Sequence, residues 1–238
     1  MTLSKLIRRV ADLPWPGITE DLSAHGHATT GPLLDTDACR RIASWYDDEE
    51  RFRSRVVMER HAFGRGEYRY FAYPLPEEIA QLREALYRRL APVANAWVES
   101  LGRATSYPAA LADYLGLCHE AGQPRPTPLL LRYQAEGYNC LHQDLYGDLV
   151  FPLQATILLS DPDRDFDGGE FVLVEQRPRQ QSRAEVVRLR QGEAVIFAVR
   201  DRPRQGARGV HRAMLRHGVS RIRRGLRFAL GIIFHDAR

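Results

Sequence analysis

The sequence predicts an α+β protein, with helices first and strands second. Three observations carry this expectation. Apolar residues recur at helical spacing through the first half, Gly122-Gln-Pro-Arg-Pro-Thr-Pro128 punctuates the chain, and beyond Pro128 short strand-like runs alternate with turns. A chain of 238 residues, 44% hydrophobic and 27% charged, is long enough for one integrated domain with a large core. Residues 1–127 are expected to form a mainly helical support region and residues 128–238 a strand-built core shaped as a sandwich or open barrel. Collagen-like, low-complexity and disordered classes are excluded by the same composition.

Each element has its own signal. Asp35 is a good N-cap for a helix over Thr36–Asp48, because Ala38, Ile42 and Trp45 then share one face. Pro76-Glu-Glu opens a longer helix carrying Ile79, Leu82, Leu86, Leu90, Val93, Trp97 and Leu101, with a kink expected at Pro92. A further helix is expected over Pro108–Glu120. The strand-like runs are Leu129–Tyr133, Leu153–Leu159, Glu170–Val174, Val186–Leu189, Ala194–Val199, Leu215–Ile222 and Arg227–Phe234. The stretch from His217 to Phe234 reads as a hairpin turning around Arg224-Gly225. Trp45, Trp97 and His235 are expected to be packing residues.

The formal charge is only +4, but Lys5 is the only lysine and the other 33 cationic residues are arginines. From Arg177 to Arg227 there are 15 arginines against Glu185, Glu193 and Asp201, a local charge of +12, which leaves −8 for the remainder. A basic face that meets carboxylates or phosphates, nucleic acid among them, is the expectation. Within that stretch, the loop from Glu175 to Arg183 and the group Arg221, Arg223 and Arg224 read either as solvated turns or as contacts to an acidic substrate. Cys39, Cys118 and Cys140 are odd in number and lack Cys-x-x-Cys spacing, which argues against a disulfide framework or cysteine zinc site and for a reducing, cytoplasmic compartment. No signal-peptide pattern and no uncharged apolar run of 18 residues occurs, so no membrane association is expected.

His142-Gln-Asp144 places an imidazole and a carboxylate at i and i+2, on the same side of an extended segment, where they can occupy adjacent positions on a divalent metal. Such a pair needs a third ligand. His211, His217 and His235 are the downstream candidates, and the strand-like run that begins at His217 and returns through Arg227 favours His217 over His211. On the last run Phe228, Leu230, Ile232 and Phe234 form one face, and Arg227, Ala229, Gly231 and Ile233 form the other. One arginine beside two small residues leaves room for an anion.

Two histidines and a carboxylate that leave one side of a metal open form the facial triad of non-haem iron oxygenases. Together with Asp165-Phe-Asp-Gly-Gly-Glu-Phe171, Gly192-Glu-Ala-Val-Ile-Phe197 and His217-Gly-Val219 in this order, the set resembles the 2-oxoglutarate and Fe(II)-dependent dioxygenases, specifically their prolyl-4-hydroxylase-like branch. The wording Leu-His-Gln-Asp-Leu-Tyr-Gly, Arg-His-Gly-Val-Ser and Leu-Gly-Ile-Ile-Phe-His-Asp-Ala is similar to a bacterial subfamily described as oxygenases acting on damaged DNA. The resemblance covers roughly Leu129 to the end. It implies a double-stranded β-helix, or jelly-roll, catalytic core beneath an N-terminal helical layer. It implies Fe(II) on His142, Asp144 and His217, and 2-oxoglutarate held by Arg227 at its distal carboxylate with Tyr133 donating a hydrogen bond. O2 completes the reactants, and the reaction hydroxylates a C–H bond while releasing succinate and CO2. Oxidative dealkylation of damaged nucleic acid is one implied outcome; hydroxylation of a protein residue or of a small molecule is the alternative, and a binding protein that has lost catalysis is a third. Gly168-Gly169 reads as a turn with positive φ, and Tyr138, Asn139, Gln143, Tyr146 and Thr156 are candidate pocket residues.

Overall fold

The computed structural model describes residues 2–176, 181–206 and 209–238. Arg177, Arg179 and Arg208 of the basic stretch, with most of the loop after Gln176, lie outside the described residues. Helices α1 (Leu3–Ala11), α2 (Trp15–His25) and α3 (Thr36–Ser44) open the chain, with strand β1 (His27–Thr29) after α2. Asp35 caps α3, its carboxylate accepting the Ala38 N–H at 3.0 Å. The helix stops at Ser44, and the tighter turn Trp45–Asp47 continues it, so the expected segment is covered by two kinds of turn. Strands β2 (Phe52–Val57), β3 (Gly64–Arg65) and β4 (Glu67–Phe71) follow, then helices α4 (Glu77–Ser100) and α5 (Leu111–Glu120). Pro92 lies inside an uninterrupted α4, whose buried face includes Leu82, Leu86, Leu90 and Trp97.

The remaining strands are β5 (Leu129–Gln134), β6 (Tyr138–His142), β7 (Leu153–Leu158), β8 (Phe166–Gly168), β9 (Phe171–Gln176), β10 (Arg183–Val187), β11 (Ala194–Ala198), β12 (Asp201–Gly206), β13 (Gly209–Val219) and β14 (Ile222–Ile233). They form two antiparallel sheets. The larger runs β1-β11-β7-β14-β5-β4-β2, with β8 also on β14, and the smaller runs β10-β9-β13-β6-β3, with β12 also on β13. The inner faces meet at pairs such as Phe171 of β9 and Phe197 of β11, whose ring centroids are 4.8 Å apart. The result is a jelly-roll core with helices packed on it, the α+β class the sequence predicts. Strands from the first 127 residues extend both sheets, so the first half is structurally continuous with the second.

The hairpin expected from His217 to Phe234 is overturned. β13 pairs with β6, β9 and β12, whereas β14 pairs with β5, β7 and β8, so the two strands belong to opposite sheets. The chain passes from one to the other at Ser220-Arg221. Gly225, at φ +84, pairs with Phe166 of β8 just past a β-bulge between Ile222 and Arg224 instead of forming a turn, and a Cβ there would lie 2.0 Å from the Asp165 carbonyl oxygen. Ten residues therefore carry the chain from one wall of the core to the wall facing it.

Two features of the helical layer anchor the end of β14. Arg83 on α4 is buried and donates to the carbonyls of Ile233 and Phe234 at 2.9 and 3.0 Å, and to Asp236 at 2.8 Å. Tyr73 and His119 supply further polar partners to Asp236. Tyr87 packs beside Phe151 and Phe234. The C-terminal strand is thus locked to α4 by a satisfied ionic cluster inside an aromatic shell.

Candidate functional site

His142 closes β6 and His217 lies opposite it on β13 as its paired residue. This cross-strand pairing brings the ring centroids to 4.1 Å. Asp144, two residues beyond His142, turns its carboxylate toward both rings: His142 Nε2 is 3.6 Å from Oδ1 and His217 Nε2 is 3.3 Å from Oδ2. Their potential ligand atoms all lie within 4.8 Å of one another, close enough for one ion. His211, on the same strand nearer the β12 pairing, is exposed and takes no part.

The surroundings fix the chemical state of these groups. His142 Nδ1 lies 2.8 Å from the Cys140 carbonyl, to which it can only donate, so the tautomer of its neutral imidazole that this contact selects has the lone pair on Nε2, facing the site. Burial pushes the His217 pKa down to about 4, assisted by His142, so its imidazole is neutral at physiological pH. Burial opposes ionisation of Asp144, but His142, His217 and the Tyr146 hydroxyl together hold its carboxyl well below the usual carboxylate range. A neutral imidazole and an ionised carboxylate are what a divalent metal requires of its ligands. The donor set fits Fe(II), and its three members leave an open side.

Asp144 is held at both oxygens. Tyr146 donates to Oδ1 at 2.5 Å and Gln154 Nε2 donates to Oδ2 at 2.8 Å. Gln154 Nε2 is also 3.3 Å from His217 Nε2. Sequence reasoning flagged Tyr146 but missed Gln154; the available signal was one amide in a run, Leu153–Leu159, whose only other polar residue is Thr156.

These residues line a cavity of about 300 Å³ between the sheets. Arg227 lines the same cavity from β14 and is 2% exposed. Its Nε has no hydrogen-bond partner, and burial lowers its pKa. Arg227 pairs with Tyr133 across the β14–β5 ladder, and its guanidinium lies 5.6 Å from that ring's centroid. The Tyr133 hydroxyl accepts from Asn139 Nδ2 at 3.3 Å and keeps its own proton for another partner. A buried guanidinium with an unpartnered Nε beside a buried phenol offers the donors that a carboxylate pairs with.

Gly168 and Gly169 have φ of +75 and +64, as the turn expectation requires. A Cβ on Gly169 would lie 2.2 Å from Ile222 Cδ1 and 3.0 Å from Arg227 Cδ, so this glycine makes room for the arginine. Asn139, Gln143, Tyr146 and Thr156 line the cavity, whereas Tyr138 is exposed outside it. The basic stretch is less free than its composition suggests. Arg202 is buried on Glu175, Arg204 also pairs with Glu175, and Arg183, Arg221 and Arg223 face Glu185, Glu136 and Asp167.

A jelly roll that gathers two imidazoles, a carboxylate and a buried arginine around one cavity defines the class of non-haem Fe(II), 2-oxoglutarate-dependent oxygenases. The chain belongs to the family Oxygenase-NA, described as an oxygenase catalysing oxidative methylation of damaged DNA, whose model matches residues 66–237. Its cofactors are accordingly Fe(II), 2-oxoglutarate and O2. An uncharacterized protein of Mycobacterium tuberculosis is 53% identical over 167 residues, 70% of this chain and 72% of that one. Among solved structures, an oxidoreductase of the 2OG-Fe(II) oxygenase family from Burkholderia pseudomallei superposes with a TM-score of 0.56 at 16% identity, covering 94% of this chain and 92% of that one. A Pseudomonas putida prolyl-4-hydroxylase superposes at 0.52 and 17% identity, covering 94% and 99%. At these identities the likeness is one of fold. Among the described residues no helix is long and apolar enough to cross a membrane.

Proposed function

We propose that His142, Asp144 and His217 ligate the Fe(II), that Arg227 and Tyr133 grip the distal carboxylate of 2-oxoglutarate, and that the substrate is an N-alkylated base in nucleic acid. The observation that carries the residue assignment is Arg227, a fully buried cation facing the same cavity as the triad with its Nε unpartnered. Bound to the triad, the iron supplies the oxygen chemistry that couples cosubstrate decarboxylation to hydroxylation of a C–H bond. The chain's own residues do the rest. Cys140 fixes the His142 tautomer, Tyr146 and Gln154 orient Asp144, and Arg227 with Tyr133 sets the cosubstrate's direction. Phe171, Leu131 and Ile233 keep the inner wall apolar and dry.

Hydroxylation of an N-methyl carbon would consume one O2 and one 2-oxoglutarate and give succinate, CO2 and an N-hydroxymethyl base. That product would break its C–N bond to release formaldehyde and the unmodified base. The family's DNA-directed description and the arginine-rich composition support this substrate class. Cytoplasmic action fits three free cysteines. The test is succinate formation from 2-oxoglutarate with Fe(II), alone and with alkylated oligonucleotides, in wild type and His142→Ala. Formaldehyde release by wild type only is expected. Equal turnover by His142→Ala would overturn the ligand assignment, and turnover stimulated by peptides but by no oligonucleotide would overturn the substrate.

A further inference from the structure

We infer that Phe63 is a stacking platform for an unpaired nucleobase, the neighbour of the base that enters the cavity; this rests on the nucleic-acid reading above. Phe63 is 49% exposed, yet it and Ala62 form part of the cavity lining. Its ring is stacked with that of His61, centroids 5.3 Å apart and planes 25° from parallel. A large apolar ring left half in water at the rim of a reaction cavity is open to a planar partner.

The backbone holds the ring there at a cost. Ala62 sits in the left-handed region at φ 57, a conformation that residues with a Cβ seldom adopt. The Phe63 N–H donates to the Met58 carbonyl at 3.1 Å, and Met58 is fully buried. Gly64 follows at φ +135, where a Cβ would stand 2.4 Å from the Tyr138 carbonyl oxygen, so only glycine lets β3 dock on β6. Docked, the Phe63 carbonyl accepts the Cys140 N–H at 2.9 Å, while the Cys140 carbonyl accepts from His142 Nδ1 at 2.8 Å. One residue of β6 therefore carries both the aromatic platform and a metal-site histidine. A group resting on Phe63 is registered to the reacting position through a single peptide unit on each side.

The ligand chemistry follows from the reaction. A base that is to be oxidised must leave its stack, and its neighbour then loses a face that an aromatic side chain can cover. Such stacking tolerates any base because every base has a π face. The segment also exposes Arg60 and Arg65, cations that a phosphate backbone can meet; Glu59 lies beside them, 3.9 Å from the Arg65 Nε.

The test uses the full chain loaded with 2-oxoglutarate and Mn(II), which blocks turnover, titrated with a labelled single-stranded oligonucleotide carrying one N-methylated base. Phe63→Ala is expected to weaken binding by about 5- to 150-fold, the loss of one base–aromatic stack, and Phe63→Trp to restore it. Thermal melting checks that both variants are folded. If wild type binds and Phe63→Ala binds equally well, the platform is refuted while the nucleic-acid reading stands. If wild type binds no oligonucleotide at low salt, both fail, and Phe63-dependent binding of a proline-containing peptide in that case would assign the ring to a different partner.

Discussion

Replacing Arg227 by Met tests the cosubstrate assignment through two opposite effects. The guanidinium is buried on the cavity wall, so a carboxylate that reaches it makes charge-assisted hydrogen bonds shielded from water. Truncating one partner of a buried, hydrogen-bonded charge pair costs about 2–5 kcal/mol. The dissociation constant for 2-oxoglutarate is therefore expected to rise by about 30-fold to a few thousand-fold. Stability is expected to move the other way. Before cosubstrate binds, Arg227 Nε lacks a partner, and exchanging a buried, incompletely compensated charge for an apolar side chain of similar length is commonly neutral or stabilising by about 1–4 kcal/mol. In a chain of this size that corresponds to a melting temperature unchanged or raised, by about 2–4 °C per kcal/mol. Calorimetric titration of 2-oxoglutarate into the Mn(II)-loaded proteins, with melting of the cosubstrate-free forms, reads both. An affinity within twofold of wild type combined with a lower melting temperature would show Arg227 to be a structural residue and sink the argument.

Tyr146→Phe and Gln154→Ala each remove one hydrogen bond from Asp144, and each is expected to weaken Mn(II) binding by about 10- to 100-fold; wild-type affinity in both would refute their orienting role. Asp236→Ala strands the buried charge of Arg83 and is expected to cost about 3–5 kcal/mol in urea unfolding, against a loss below 1 kcal/mol if the cluster is dispensable. Burial lowers the His235 pKa to about 4 from an ordinary 6.5, so above pH 6.5 neither folded nor unfolded chain is protonated there and stability is full. Between pH 6.5 and 4 the unfolded chain takes up a proton that the folded chain refuses, and stability falls by up to about 1.4 kcal/mol per pH unit. His217, also lowered to about 4, adds a second share of the same sign in metal-free protein. His235→Asn retains an acceptor for the Phe151 N–H and is expected to flatten the melting curve over that window by one share, whereas a superposable pH profile would contradict the assignment.

The strongly apolar elements were legible because their burial is written into residue type. Most of the run Leu153–Leu159 and Leu230, Ile232 and Phe234 are buried in the core, with Phe228 partly buried against it. β2 and β4 were not legible, for a physical reason. They are Phe-Arg-Ser-Arg-Val-Val and Glu-Tyr-Arg-Tyr-Phe, at the outer end of the larger sheet. Their charges are stabilised laterally, Glu67 receiving both Arg55 and Arg132, so the pattern looks like a polar surface. The arginine run misled in the converse direction. Arg202 looks like part of a basic face, but the fold buries it against Glu175, and sequence alone gives no sign of that pairing.

The hairpin error shows how the candidate site is built. Spacing alone placed His217 and Arg227 ten residues apart, and the simplest reading was a local turn that would leave them neighbours on one sheet. Local pairing cannot distinguish a turn within a sheet from a crossing between sheets, because both need only a short break such as Ser220-Arg221. The difference decides what the cavity can hold. Two residues on one sheet would present metal ligand and arginine side by side on one wall. With β13 and β14 in opposite sheets, the histidine wall and the arginine wall face each other across a cavity of about 300 Å³. A molecule with a metal-chelating end and a distal carboxylate would meet one wall at each end, so under the proposed assignment Arg227→Met removes one anchor of 2-oxoglutarate and leaves the metal-binding wall intact.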